Sequence, residues 1–92
     1  MKDIYSFRKG KKLIMIKERT IGDTKDKLLC FGNSDFNYEA IYSALENKFI
    51  LEKWSKTKKE KYIKMLQGAL NEIKPDYKFL IEQCLGLRQP EK

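Results

Sequence analysis

A chain of 92 residues has room for one small core, and its 41% hydrophobic and 12% aromatic content excludes a disordered tail. Its 20 basic and 13 acidic side chains leave a formal charge of +7, which favours polyanionic partners such as DNA, RNA, acidic protein surfaces or anionic lipid. With no histidine, the chain lacks Ser–His and Cys–His nucleophile pairs, the usual general base and the commonest zinc ligand.

The first third reads as β-structure. Ile4 to Phe7 is a short strand, and Gly10 supplies the turn after Arg8-Lys9. Leu13 to Ile16 is the clearest strand and continues through Arg19. Thr20 to Thr24 is a loop with a Gly-Asp turn signal, and Lys27 to Phe31 is a third strand. Short connections between three strands predict an antiparallel meander.

Gly32 to Asp35 punctuates a change of period, with Ser34 or Asp35 as the cap of a helix. Tyr38, Ile41, Tyr42, Leu45 and Phe49 fall at helical spacing, which predicts a first helix reaching about Trp54. Asn47 is an alternative stop, leaving Phe49-Ile50-Leu51 as a fourth strand; the helix formers Ala44, Leu45, Glu46, Lys48 and Leu51 favour continuation.

Thr57 to Glu60 has the form of a capping box. The helix it opens carries Tyr62, Ile63, Leu66, Ala69, Leu70 and Ile73 on one face, and Pro75 ends or bends it. A last helix turns Tyr77, Leu80, Ile81, Cys84 and Leu85 inward. Gly86 suits the left-handed residue after its end, with Leu87 closing the hydrophobic contact. The expected architecture is α+β: a three-stranded antiparallel meander packed against two to three C-terminal helices, as a single compact domain over 1–87 with a frayed tail at 88–92.

Cys30 and Cys84 sit in separate apolar runs and share no short motif, so they read as buried, reduced thiols of an intracellular, cytoplasmic protein; a disulfide from sheet to last helix is the alternative. No apolar run is long enough to span a membrane and Met1-Lys2-Asp3 opens no secretory signal. No phosphate-cradling glycine loop is present, and Asp23 and Asp26 around Thr24-Lys25 lack a third carboxylate for calcium or magnesium. Glu39, Glu46 and Glu52 read as solvated residues of the first helix. No catalytic residue, metal site or cofactor is expected, and the chain reads as non-enzymatic.

The positive charge is uneven. Residues 1–31 hold nine basic and four acidic side chains, 32–55 hold two and four, 56–64 hold five and one, and 65–92 hold four of each. Two clusters emerge: Arg8, Lys9, Lys11 and Lys12 at a hairpin tip, and Lys58, Lys59, Lys61 and Lys64 at the start of the second helix. Lysines in a first turn oppose the helix dipole, so this helix end either presents a phosphate-binding site or is a solvated face compensated by Glu60. Tyr5 and Phe7 beside the tip read as core more than as base-stacking residues. Trp54, at a helix–helix junction, plugs the core's end or, if exposed, anchors a contact.

The order of a three-stranded meander followed by a helix resembles the DNA-binding arm domains of tyrosine recombinases, across about half of the chain and in element order alone. That resemblance implies DNA binding and carries over no motif residue. The leading expectation is a regulator that binds nucleic acid or a nucleoprotein, its eight clustered basic residues contacting phosphate. The alternative is a small inhibitor or adaptor of the phage or mobile-element type that blocks a host enzyme or defence nuclease, its basic face mating with an acidic surface or occupying a nuclease's partner site, with Trp54 or Tyr38 as anchors. A homodimer through the first helix, using Phe36, Tyr38, Tyr42 and Phe49, is a third option, and a membrane role is not expected. Whether the two basic clusters share a face decides between a binding surface and lysine used only as solvating filler.

Overall fold

Strand pairing dominates the chain from Lys2 to Glu52. In the computed structural model, which describes residues 2–34 and 37–87, five strands pair in sequence order as an antiparallel meander: β1 (Lys2–Lys9), β2 (Lys12–Ile21), β3 (Thr24–Ser34), β4 (Asn37–Ser43) and β5 (Lys48–Glu52). Two helices follow, α1 (Lys56–Ala69) and α2 (Pro75–Cys84). The first two hairpins close through the two-residue loops Gly10-Lys11 and Gly22-Asp23. Gly10 and Gly22 lie at φ +63° and +60°, the left-handed geometry that matches the twist of the flanking strands.

The α+β class holds, but the sheet has five strands instead of three, and the helix expected up to Trp54 is replaced by β4 and β5. The positions 38, 41, 42, 45 and 49 satisfy a helical period, yet the segment is rich in aromatic and β-branched residues that suit a pleated surface. Asn47 takes φ +54° and turns the chain into β5. The deciding interaction is non-local. β3 would otherwise leave a row of unpaired backbone groups, and β4 satisfies them, placing Tyr42 opposite Leu29 and Ala40 opposite Phe31. The proposed caps Ser34 and Asp35 therefore have no helix to cap: Ser34 ends β3 and Asp35 lies outside the described residues, as do Phe36 and the 88–92 tail.

The two faces of the sheet differ. Ile14, Ile16, Leu29, Phe31, Ala40 and Tyr42 face the helices, which bury Tyr62, Met65, Leu66, Leu80 and Ile81 against them, together with Ile73 from the connection between α1 and α2. Tyr5 and Phe7 belong here too, Tyr5 stacked on Tyr77 at 5.5 Å, so both are core residues. The alternate positions Leu13, Met15, Leu28 and Cys30 form a smaller cluster on the opposite face with Tyr38 and Ile41, and no helix residue joins it. Lys17 closes that face, its Nζ 3.0 Å from Asp3 Oδ1 and 5.2 Å from the Tyr38 ring centroid. Cys30 and Cys84 are both free, on opposite sides of the sheet, so the alternative disulfide is not formed.

Buried Asp26 ties the β4–β5 turn to the sheet. Its carboxylate accepts from Arg19 Nε at 3.0 Å, Ser43 Oγ at 2.7 Å and the Leu45 backbone N–H at 2.9 Å. It is thus a structural anion inside β3 and not one arm of a loop cation site; no cluster suited to a metal occurs among the described residues.

The helix termini depart from the sequence expectation in three respects. Ser55, not Thr57, caps α1, its Oγ accepting from Lys58 N at 3.2 Å, so the helix begins two residues earlier than a Thr57 cap would start it. Pro75 starts α2 after extended Lys74, α1 having already stopped at Ala69. At the far end, Gly86 at φ +79° donates to the Gln83 carbonyl and Leu87 to the Glu82 carbonyl, a Schellman arrangement. Leu87 remains 65% exposed, so the backbone bonds form without the expected apolar closure.

Candidate nucleic-acid interface

The hairpin tip and α1 come together. Lys9 and Lys12 from the β1–β2 hairpin and Lys61 and Lys64 from α1 line one groove of about 310 Å3, floored by Met65. Local structure explains the placement. Lys9 and Lys12 are paired across the tight turn, so both side chains leave the same face of the ribbon, the face that also carries Phe7 and Ile14 towards the helices. On α1, Tyr62, Met65, Leu66 and Ala69 are drawn into the core, which leaves Lys61 and Lys64 at the edge of the buried stripe. None of these four lysines has an ion-pair partner among the described residues.

The other four members of the predicted set lie elsewhere. Arg8 alternates to the opposite face, opposite Leu13, and its Nη1 donates to the Asn33 carbonyl at 3.4 Å. Lys11 stands exposed in the turn itself. Lys58 and Lys59 are committed to strand carboxylates: Lys58 Nζ lies 2.6 Å from Glu39 Oε1, and Lys59 Nζ 3.0 Å from Glu52 Oε2 and 5.1 Å from the Phe49 ring centroid. These pairs also resolve the dipole question. The first turn of α1 has no acidic residue in helical register, and Glu39 and Glu52 bring negative charge to it from β4 and β5.

Glu39 was expected to be a solvated residue of a helix. Instead it is half-buried on β4, where a bulge lets it turn towards α1 and accept from Tyr62 Oη at 2.9 Å. The hydrogen bond from Lys58, and after it that from Tyr62, hold its carboxyl below the usual value against the opposing effect of burial. Burial, reinforced by the Glu39 carboxylate, pushes the Tyr62 phenol up to about 12. Lys12 Nζ sits 5.8 Å from the Tyr62 ring centroid, so Lys12 belongs both to the lysine groove and to this Tyr–Glu junction. Neither Glu39 nor Tyr62 carries any local sequence signal for this role, since their meeting depends on how β4 packs under α1.

Trp54 lies at a strand–helix junction, not between helices. Its half-buried ring contacts Phe31, Phe49 and Tyr62 at centroid distances of 5.1, 5.5 and 5.4 Å. Its Nε1 donates to Glu52 Oε2 at 2.9 Å, and this bond, ahead of that from Lys59, keeps the Glu52 carboxyl below its usual value. Tyr38 is half-buried on the far face, with its hydroxyl 3.9 Å from Met15 Sδ. The two proposed anchors thus stand on different faces of the sheet. The helix on which a homodimer was a third option is replaced by β4 and β5, and Tyr42 is buried with its hydroxyl 2.6 Å from Asn47 Oδ1. No helix among the described residues is long and apolar enough to cross a membrane.

No known protein family matches the chain, and neither the curated proteins nor the solved structures include a significant match to it.

Proposed function

We propose that this protein is a non-enzymatic binding protein that engages nucleic acid, bare or within a nucleoprotein, through the phosphate backbone. The observation that carries this reading is the convergence of Lys9, Lys12, Lys61 and Lys64, from two distant segments, on one groove. Ammonium groups gathered with no ion-pair partner among the described residues, Glu39 acting on Lys12 only at longer range, form a locally positive surface that a polyanion neutralises, with release of its condensed counterions. No planar guanidinium is directed into the groove, so binding is weakly sequence-specific and governed by backbone charge.

Titration of labelled DNA and RNA at rising salt tests the reading. With four phosphates neutralised, the slope of log K against log salt is about −3 for a single strand. Absence of binding at low salt overturns it.

A second reading, an inhibitor or adaptor that mates with an acidic protein surface, is favoured by Trp54, which borders a neighbouring groove with Ile63. A pull-down from host lysate before and after nuclease treatment separates the two, since protein partners that survive nuclease support the second.

A further inference from the structure

Lys64 belongs to two grooves. On one side it completes the lysine groove; on the other it borders a larger one, of about 860 Å3, between the end of β5 and the open side of α1. Trp54 and Ile63 give that groove its apolar surface, and Glu52, Lys59, Glu60 and Gln67 supply polar groups. Its volume lies within the range of sites that hold small organic groups.

The Trp54 indole is locked there. Three aromatic neighbours and the Glu52 hydrogen bond fix its plane, and the Lys59–Glu52 ion pair neutralises the carboxylate beside it. A ring immobilised before binding offers stacking area at little entropic cost. Gln67 presents a donor and an acceptor, and Glu60 presents acceptors, which is the complement of a nucleobase edge. Such a groove standing alone would equally accept an apolar side chain. Its continuity at Lys64 with a cluster of ammonium groups selects an occupant whose planar group hangs from an anionic backbone.

We infer that the chain binds single-stranded nucleic acid, with phosphates along Lys9, Lys12, Lys61 and Lys64 and a base seated against Trp54 and Ile63 in the adjoining groove. In a duplex the bases are paired and stacked on each other, and none reaches a side groove without being extruded. The inference rests on the nucleic-acid reading above and adds to it the strandedness and the base site.

Trp54 is the only tryptophan, so the native chain carries its own reporter. Fluorescence titrations with a short oligo-deoxythymidine, with inorganic polyphosphate and with a hairpin duplex test the inference. The expected result is quenching of Trp54 by the oligonucleotide, and binding of polyphosphate, followed by competition, without quenching. Read instead by the anisotropy of a labelled oligonucleotide, since the variant lacks the fluorophore, Trp54→Leu weakens the oligonucleotide roughly tenfold, the scale of one lost base stack, and leaves the affinity of competing polyphosphate unchanged. Should Trp54→Leu disturb folding, which the polyphosphate arm reveals, Ile63→Asn on the open side of α1 serves as the second variant, with the same split expected. Oligonucleotide binding without quenching, or a duplex that binds and quenches equally, overturns the base site while the nucleic-acid reading stands. Failure of all three probes to bind at low salt overturns that reading, and the inference with it.

Discussion

Lys12 Nζ lies 5.8 Å from the centroid of the Tyr62 ring, joining the turn of the first hairpin to the first helix. On the other edge of that ring the hydroxyl donates to Glu39 at 2.9 Å, so one aromatic side chain links β2, β4 and α1. Among the described residues the geometry separates Lys58 and Lys59, which are in ion pairs, from Lys9, Lys12, Lys61 and Lys64, which are in none, and the proposed binding follows that division.

Lys61→Ala and Lys64→Ala are each expected to reduce the salt slope for single-stranded DNA by about 0.7, the loss of one phosphate contact. The paired change Lys59→Gln with Glu52→Gln removes a cation together with its own carboxylate, and is expected to leave polyphosphate affinity near that of the unaltered chain. Binding isotherms at several salt concentrations distinguish the two classes; equal slopes would show that the groove does not carry the contact.

Asp26 is buried at 1% exposure and compensated by Arg19, Ser43 and the Leu45 N–H. Asp26→Ala leaves Arg19 paired with Glu46 alone, at 3.3 Å, and removes the acceptor of the Ser43 hydroxyl and the Leu45 N–H, with an expected cost of about 2–3 kcal/mol in urea unfolding. Ser43→Ala removes its bond to the same carboxylate and the acceptor of the Glu46 N–H at 3.1 Å, and is expected to cost about 1–2 kcal/mol.

Stability should fall at both ends of the pH scale. The Glu39 carboxyl is held low by Lys58 and Tyr62, so its contribution is complete above the ordinary glutamate value of about 4.3 and is lost as pH drops through the depressed value. The Tyr62 phenol is held high, so its contribution is complete below its ordinary value of 10 and is lost as pH rises through about 12. Thermal melts across pH check both arms. Tyr62→Phe makes the alkaline fall shallower and removes the tyrosinate absorbance change near 12.

Both thiols are expected to resist modification in the native protein. Burial pushes Cys30 up to about 11 and Cys84 up to about 12, leaving almost no thiolate at neutral pH. Titration with a thiol-specific chromogenic reagent should show two slow groups in buffer and two fast ones in guanidinium. A fast thiol in buffer would mean that one helix opens locally.

Much of this molecule is decided by local chemistry. The glycines at 10 and 22, flanked by alternating apolar residues, are sufficient to specify the first two hairpins, since few other residues take the turn conformation that matches strand twist. Pro75 and Gly86 bracket α2 for the same kind of reason, the one unable to extend a helix backwards and the other able to end it. The lysine clusters and the missing histidine are likewise plain in the amino-acid order. Tertiary structure alone decided the fate of residues 37–52, where the apolar spacing fits either period and the backbone demand of β3 tipped it to strands. It also decided which lysines meet carboxylates and which gather in the groove. Glu39 and Glu52 reach Lys58 and Lys59 only because β4 and β5 exist, and Lys9 and Lys12 meet Lys61 and Lys64 only because α1 packs across the hairpin. Turns and caps are set within a few residues of chain, whereas ion pairs and grooves depend on distances that packing creates.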